Sequence, residues 1–412
     1  MEKTCIKENF MDKNPIRTIF FLHTSLFLII LFLVIFYFQG DLLSTIWATF
    51  KNDSWKFIRN TIKIENPPYP YHLITTSFHY FPLYALLSNI FQPNLSLTIS
   101  VIVIQYIFSL LTVVLIFMIY KELFGVNNKY LILFIWIIDT TIFSLFFVLA
   151  TAEILFIFYQ TLTFFLFINR KYFYSSITLG MTLALRFNGF FFILGFILII
   201  FYSLMKKKNE INLKNWTRLV LLVLYTIISV IISLLPFIYS NLVTNDFFLP
   251  FNSEFIAYST WETYLVDNQI VMIPFTFWNN YTSWVITTNV FTEYLLFIAA
   301  LITFIIGLWS IIYLYHFRKN LGKEKILRID FLLILGLINF LGVNTVVSGR
   351  NFSRFLSFTF PIFPIVMYFF FKSNFDNKKI LLIGTIFFGL ALLLNIVWWI
   401  NIDYCDACQH NF

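Results

Sequence analysis

The chain has 412 residues, of which 60% are hydrophobic and only 12% are charged. Soluble domains carry roughly 25% charged residues, so this composition excludes a water-soluble enzyme domain and predicts a protein embedded in a membrane. The formal net charge of +8 is attributed to cytoplasmic loops, where lysine and arginine collect in membrane proteins, rather than to nucleic-acid binding.

Eleven apolar runs predict an all-α, polytopic membrane protein with about 11 transmembrane or re-entrant helices, because most are near the length that crosses roughly 30 Å of hydrocarbon. The runs cover residues 18–38, 97–119, 130–149, 153–169, 172–186, 189–205, 217–240, 291–315, 329–347, 355–371 and 379–400. The first run follows a polar stretch and lacks a small-residue cleavage site, so it is interpreted as a retained helix after a cytoplasmic tail, residues 1–17.

The basic residues place the N-terminus in the cytoplasm. In that orientation 21 of the 28 lysines and arginines fall in cytoplasmic segments and seven fall on the other side, a bias that follows the positive-inside rule. Residues 39–96 and 241–290 are then long outer loops of a single membrane-embedded domain, residues 1–412. Aromatic and aliphatic patches in the first loop predict interfacial helices. The second loop has four acids and several tryptophans but no lysine or arginine.

The runs 172–186 and 189–205 are short for transmembrane spans. Basic residues at 170–171 and 206–208 flank them, so an even number of crossings lies between these two basic groups. Two short helices and a re-entrant segment both satisfy this condition, and both place Arg186 near the outer face inside the bundle.

Ionisable residues near membrane depth are costly, so each needs an explanation. Asp330 follows Arg328 and is interpreted as a solvated cytoplasmic helix end, whereas Asp139 either pairs with another helix or lines a polar seam. Arginine forks suit phosphate oxygens, and a carboxylate near a sugar hydroxyl can act as a general base. An outward-facing polar cavity, or simply loop ion pairs, is predicted from five residues on the outer side: Asp53, Glu153, Arg186, Arg350 and Arg354.

Six short stretches occur in an order that resembles one known family. They are Asn52-Asp53-Ser54-Trp55, His79-Tyr80-Phe81-Pro82-Leu83-Tyr84, Thr151-Ala152-Glu153-Ile154-Leu155-Phe156, Leu185-Arg186-Phe187-Asn188-Gly189, the less similar Phe247-Phe248-Leu249-Pro250-Phe251, and Ser353-Arg354-Phe355 followed by Phe360-Pro361 and Phe363-Pro364. The pattern is similar to that of the PIG-V-like integral membrane mannosyltransferases, which include the second mannosyltransferase of GPI assembly. The likeness extends over roughly residues 50 to 365.

The resemblance implies a GT-C glycosyltransferase that transfers mannose from a polyprenyl (dolichyl-type) phosphate-mannose donor. The acceptor would be a lipid-linked or cell-surface glycan on the non-cytoplasmic side, and attack opposite the phosphate would invert the anomeric centre. Asp53 is the predicted general base. The predicted substrate-binding residues are His79, Glu153, Arg186, Asn188, Arg350 and Arg354. For Glu153 and His79 a purely structural role is an alternative.

No cofactor is predicted. Asp53, Asp139 and Glu153 offer oxygen atoms to a divalent cation, but no HxxE, HxH or DxD spacing on the outer face supports a metal site. Cys405 and Cys408 lack a second ligand pair for zinc, although an oxidising outer side would permit a disulfide between them. The expected partners are the lipid-linked donor, the glycan or glycolipid acceptor and membrane lipid. A multi-pass location in a prokaryotic cell membrane is favoured, or in the endoplasmic reticulum membrane if the chain is eukaryotic.

Two other functions compete with the transferase. A flippase or transporter for a lipid-linked glycan needs ionisable residues deep in several spans, whereas the charges here gather at one face. If the chain were a non-catalytic subunit of a glycan assembly complex, Asp53→Asn would leave the transfer activity intact. That variant therefore distinguishes the subunit from the enzyme.

Overall fold

The computed structural model describes four ranges of the chain, residues 14–37, 97–124, 153–185 and 213–248, together with scattered helical positions elsewhere. These ranges form six α-helices and contain no β-strand. The helices are α1 (Pro15–Tyr37), α2 (Leu97–Phe124), α3 (Glu153–Ile168), α4 (Tyr172–Leu185), α5 (Leu213–Ser233) and α6 (Leu235–Thr244).

The predicted all-α class is confirmed for the part of the chain that the structure describes. Helices α1, α3 and α4 follow the predicted apolar runs to within three residues at each end, whereas α2 continues to Phe124, five residues past its run. The predicted run 130–149 lies outside the described residues. So do 189–205, 291–315, 329–347, 355–371 and 379–400, apart from helical positions at 194, 197, 308, 309, 312, 315, 379 and 382.

The predicted single run 217–240 is two helices in the structure. Pro236 has no backbone N–H, and its ring would clash with the carbonyl four residues earlier in a continuous helix. The chain therefore turns at Leu234, whose N–H donates to the Ile231 carbonyl at 3.2 Å, and α6 begins with the proline in its first turn. Helix α6 ends at Thr244 and is capped by Asn245 in the left-handed conformation, so helical structure extends four residues into the predicted outer loop 241–290.

Helices α3 and α4 form an antiparallel hairpin with a very short turn. Arg170 adopts a left-handed φ of 61° there. The Arg170 and Lys171 N–H groups donate to the carbonyls of Phe167 and Leu166 at 3.0 and 2.9 Å, the pattern of a Schellman C-cap. Between the helices, the Thr163 hydroxyl donates to Thr178 Oγ1 at 2.8 Å.

Helix α5 packs on α4 in the parallel direction, because contacts advance together along both helices. Ser175 bonds the Tyr225 hydroxyl at 3.0 Å, and the Ser229 hydroxyl donates to the Ser176 carbonyl at 3.0 Å. One turn further, a Cβ built on Gly180 would lie 2.5 Å from Ile232 Cβ. Small residues therefore let these two backbones approach closely, as they do between helices in membranes.

Helices α1 and α2 are antiparallel. His23 Nε2 lies 2.9 Å from Ser109 Oγ, and Phe27, one turn later on α1, contacts the ring of Tyr106, which lies earlier on α2. Helix α2 also packs on α3, where the rings of Phe108 and Phe158 meet edge to face at 5.0 Å. The packing order is thus α1, α2, α3, α4, α5.

The described helices have the apolar surface expected of a membrane protein. Ile102–Glu122 and Val223–Leu242 are long and apolar enough to cross a membrane, by length and composition. Side chains on α5 that are about half exposed include Val220, Val223, Leu224, Ile227, Val230 and Ile231. An apolar stripe of this size is unusual on a soluble monomer and supports the predicted membrane location.

Gly180→Leu should destabilise the α3–α4–α5 unit. Even the first added carbon meets Ile232 and the Ser229 carbonyl, at 2.5 and 2.6 Å, so the helices must separate. Overpacking of this kind costs about 1–3 kcal/mol or more. We expect a clearly lower midpoint of thermal unfolding in detergent for this variant, with Gly180→Ala intermediate. Val223→Leu, which adds one carbon on the exposed face of α5, should leave the midpoint unchanged; an equal loss in both would contradict the close-packing account.

Candidate functional site

Of the predicted site residues, only Glu153 belongs to the part of the chain that the structure describes, as the first residue of α3. The predicted base and the remaining substrate-binding residues lie outside the described residues: Asp53, His79, Arg186, Asn188, Arg350 and Arg354. Asp139, Asp330, Cys405 and Cys408 lie outside them as well. Within the predicted Phe-Pro-Leu-Tyr stretch, Leu83 is helical.

The backbone of Glu153 is level with the end of α4. Thr163 on α3 bonds Ser175 and Thr178 on α4, which fixes the register of the hairpin. Ten residues before Thr163 is Glu153, and ten residues after Ser175 is Leu185, the last residue of α4. Both therefore lie about 15 Å from the Thr163 contact along the hairpin axis, at the same end.

This end of the hairpin is covered by protein, whereas the opposite end is open. Ile154, Leu155, Ala184 and Leu185 are at most 1% exposed. At the other end Arg170 and Lys171 are exposed, and Phe173 and Tyr174 are each 60% exposed. The backbone of Glu153 therefore starts α3 beside neighbours that are fully buried.

Buried hydroxyl groups hold α3, α4 and α5 in this register. The Ser175 hydroxyl donates to the Thr163 carbonyl at 2.9 Å, and its oxygen is hydrogen-bonded to the Tyr225 hydroxyl at 3.0 Å. The Ser229 hydroxyl is shared between the Tyr225 and Ser176 carbonyls, at 2.8 and 3.0 Å. These groups satisfy one another away from water, as buried polar groups must, and they carry no charge themselves.

The sequence reasoning missed a second buried polar cluster, which joins α1 to α2 and contains His23. The His23 side chain is fully buried, against Ser109 and the ring of Tyr106. The sequence does contain a signal for this cluster, since His23 is an ionisable residue inside the first apolar run, 18–38. Such residues in a span are candidates for function by default.

Among the described residues, no group of three or more His, Cys, Asp or Glu side chains could hold a metal ion. The acids that offered oxygen ligands in the sequence are Asp53, Asp139 and Glu153. The first two lie outside the described residues, as does the side chain of Glu153, so the expected lack of a metal stays a prediction.

No protein-family model and no curated protein matches the chain. Among solved structures, the fold is similar to the oligosaccharyltransferase of Archaeoglobus fulgidus in complex with Zn and sulfate, with a TM-score of 0.50 and 16% identity over 85% of this chain and 49% of that chain. A second structure is the archaeal oligosaccharyltransferase AglB from Archaeoglobus fulgidus in complex with an inhibitory peptide and a dolichol-phosphate. It has a TM-score of 0.47 and 13% identity, covering 96% of this chain and 56% of that one.

The chain spans about half the length of these oligosaccharyltransferases. At 16% identity the likeness to the first structure shows the fold alone, and the GT-C superfamily stays a prediction here. The resemblance to the PIG-V-like family, which rests on the sequence motifs, also stays a prediction.

Cysteine cross-linking can test the arrangement of this end of the hairpin. In a chain with Cys5, Cys405 and Cys408 replaced by serine, Glu153→Cys with Leu185→Cys should be joined by a membrane-permeant bis-maleimide, because packed helices lie about 8–10 Å apart. Glu153→Cys with Tyr172→Cys should not be joined, since the α4 start is about 20 Å away along the axis. Intramolecular cross-linking measured by peptide mass spectrometry gives the result, and equal yields for the two pairs would refute the register.

Proposed function

We propose that the chain is a GT-C glycosyltransferase that transfers mannose from a polyprenyl-phosphate mannose donor to a glycan acceptor on the non-cytoplasmic side of a membrane. The observation that carries the proposal is the similarity in fold to an archaeal oligosaccharyltransferase over 85% of the chain. Mannose as the sugar rests on the PIG-V-like motifs alone. The donor and acceptor classes follow from the same resemblance.

The relative directions of the described helices agree with the proposed multi-pass topology. The charge pattern requires α1 to run against α2, α3 against α4, and α4 along α5, and the contacts between these helices have those directions. Because α4 and α5 are parallel, the 27 residues between Leu185 and Leu213 must return along the bundle. The apolar run 189–205 is our candidate for that return, within a single domain covering residues 1–412.

The site is proposed at the covered end of the α3–α4 hairpin. Arg186 directly follows Leu185, and consecutive Cα atoms are about 3.8 Å apart, so we expect its backbone close to the level of Glu153. A guanidinium there could bind the donor phosphate in a fork geometry, and Glu153 could orient that guanidinium or the acceptor. Asn188, Arg350, Arg354 and His79 complete the proposed substrate-binding set.

In the proposed reaction Asp53 accepts the proton of the acceptor hydroxyl while the oxygen of that hydroxyl attacks the anomeric carbon of mannose. The bond from that carbon to the phosphate oxygen breaks, and the bonding electron pair leaves with the phosphate. Arg186, Arg350 and Arg354 would stabilise the negative charge that develops there. Attack from the face opposite the phosphate inverts the anomeric centre.

The described helices favour an enzyme over a flippase. Their Asp, Glu, Lys and Arg residues lie within the first six or last four positions of each helix, as Arg17, Lys121, Glu122, Glu153, Lys214 and Arg218 do. A protein that moves a charged head group through the bilayer needs such residues at mid-span. In the described helices the buried mid-span polar residues are hydroxyls, amides and a single histidine.

Asp53→Asn should abolish most of the transfer, because a general base contributes about 10²- to 10⁴-fold. The assay is the transfer of radiolabelled mannose from polyprenyl-phosphate mannose by membranes that contain equal amounts of each variant. Asp246→Asn is the matched control, since its carboxylate accepts the Phe248 N–H at 2.9 Å, a turn contact that asparagine can also make. Equal activity of Asp53→Asn and wild type would remove Asp53 as the base. A folded wild type that transfers no sugar from any donor would refute the proposed function.

Arg186→Gln should raise the KM for the lipid-phosphate donor by about 10- to 100-fold, the usual range for a lost charge-assisted hydrogen bond. Arg170→Gln, at the opposite and exposed end of the same hairpin, removes the same charge and should leave the KM unchanged. Initial rates at varied donor concentration make the measurement. If both variants raise the KM for the donor equally, the change reflects the loss of a positive charge in general, and Arg186 does not bind the donor phosphate directly.

A further inference from the structure

We propose that His23 is a positioning residue for this reaction, acting through a polar clamp between α1 and α2. The polar clamp consists of His23 and Thr24 on α1 and Tyr106 and Ser109 on α2. It fixes the two helices between which the Asp53 segment is inserted. The proposal rests on the proposed transferase function.

Two hydrogen bonds of the polar clamp join α1 to α2, and its serine and threonine are also bonded to their own helices. The Ser109 hydroxyl donates to the Tyr106 carbonyl at 2.9 Å, and its oxygen lies 2.9 Å from Nε2 of His23. The Thr24 hydroxyl donates to the Phe20 carbonyl at 2.7 Å, and its oxygen lies 2.7 Å from the Tyr106 hydroxyl oxygen.

The polar clamp specifies both the register and the rotation of the helix pair. The ring of Tyr106 lies against the rings of His23 and Phe27, with centroids 5.9 and 5.1 Å away. These two residues are about one turn apart on α1, so Tyr106 occupies the groove between them. A slip of one residue would rotate α1 by about 100° and break both hydrogen bonds. His23 and Ser109 are fully buried, so water could not readily replace the lost bonds.

The polar clamp controls the two points between which the Asp53 segment is held. Thr24 and Tyr106 are level in the antiparallel pair, and both helices continue in the same direction from that level. Helix α1 ends at Tyr37, about 20 Å beyond the clamp, and α2 begins at Leu97, about 14 Å beyond it. The 59 residues from 38 to 96, including Asp53, are therefore tethered at two neighbouring helix ends.

Displacement of these ends should affect catalysis more than binding. A misplacement of about 1 Å in a reacting group can cost about 10²-fold in rate, even when its cause is remote. The donor phosphate, in contrast, is assigned to Arg186, Arg350 and Arg354, which lie outside residues 38–96; of the proposed substrate-binding set, only His79 belongs to that segment. His23 should therefore affect kcat through Asp53 while leaving the KM for the donor nearly unchanged.

The test combines kinetics with a cross-link that needs no substrate. We expect His23→Leu to lower kcat by about 10-fold or more with a donor KM within about twofold of wild type. His23→Gln, whose amide group can replace Nε2 as the hydrogen-bond partner of Ser109, should restore the rate. Ser109→Ala should act as His23→Leu does, and the double variant should be no worse than either. Ser25→Ala, a serine of the same helix outside the clamp, is the control.

The cross-link is made between Tyr37→Cys and Leu97→Cys in the chain without native cysteines, using a bis-maleimide of about 10 Å span. We expect its yield to fall in His23→Leu and to recover in His23→Gln. An unchanged yield in His23→Leu overturns the proposal whatever the transfer assay gives. A lower yield with unchanged kcat also overturns it, because the helix ends would then not govern catalysis.

These outcomes separate the two proposals. If the folded wild type transfers nothing, the proposed function fails and His23 loses its catalytic role, whereas the cross-link still decides whether the polar clamp sets the helix ends. If His23→Leu does not fold, Tyr106→Phe replaces it, since that change removes only the hydrogen bond to Thr24 and keeps the ring. A Tyr106→Phe variant with wild-type kcat and cross-link yield would then overturn the proposal.

Discussion

The described part of this protein depends on how closely α4 can approach α5. Gly180 leaves no room for a Cβ against Ile232, and serines surround that contact. Lipid provides no hydrophobic force to bring two apolar helices together, so association depends on dispersion contacts and on hydrogen bonds between small side chains. Once the backbones are this close, the Ser229 hydroxyl reaches a carbonyl of the neighbouring helix, and the register is fixed.

That register extends to the candidate site. Ser175 bonds α5 through Tyr225 and α3 through the Thr163 carbonyl, so one hydroxyl links three helices. Through this link the start of α3 and the end of α4 are brought level. The uncharged contacts around Thr163 thereby determine the axial position of the Glu153 backbone, although Glu153 lies about 15 Å from Thr163 along the hairpin. Substitutions in such a scaffold can alter a reaction without touching a substrate.

The α1–α2 pair follows the same physical rule with different residues. Here a histidine, a tyrosine, a serine and a threonine replace the glycine and serines, and the packing is set by two hydrogen bonds and by tilted and edge-to-face ring contacts. A polar group inside a span is costly when unpaired, so each such group acts as a constraint on where its neighbour helix can lie. In our proposals the α4–α5 packing positions the residues that bind the donor phosphate, and the polar clamp between α1 and α2 positions the segment that carries the base, Asp53.

The sequence by itself determined the helical class and the bounds of α1, α3 and α4, because apolar length and flanking charge are local properties that lipid selects directly. It also singled out Glu153 as an outer-side acid. The division of the predicted run 217–240 follows from Pro236, which is also a local signal. Only the tertiary structure decided that Glu153 is level with Leu185 and that His23 is paired with Ser109. Register and pairing depend on which small or polar side chains meet across helices far apart in the chain, and no local pattern contains that information.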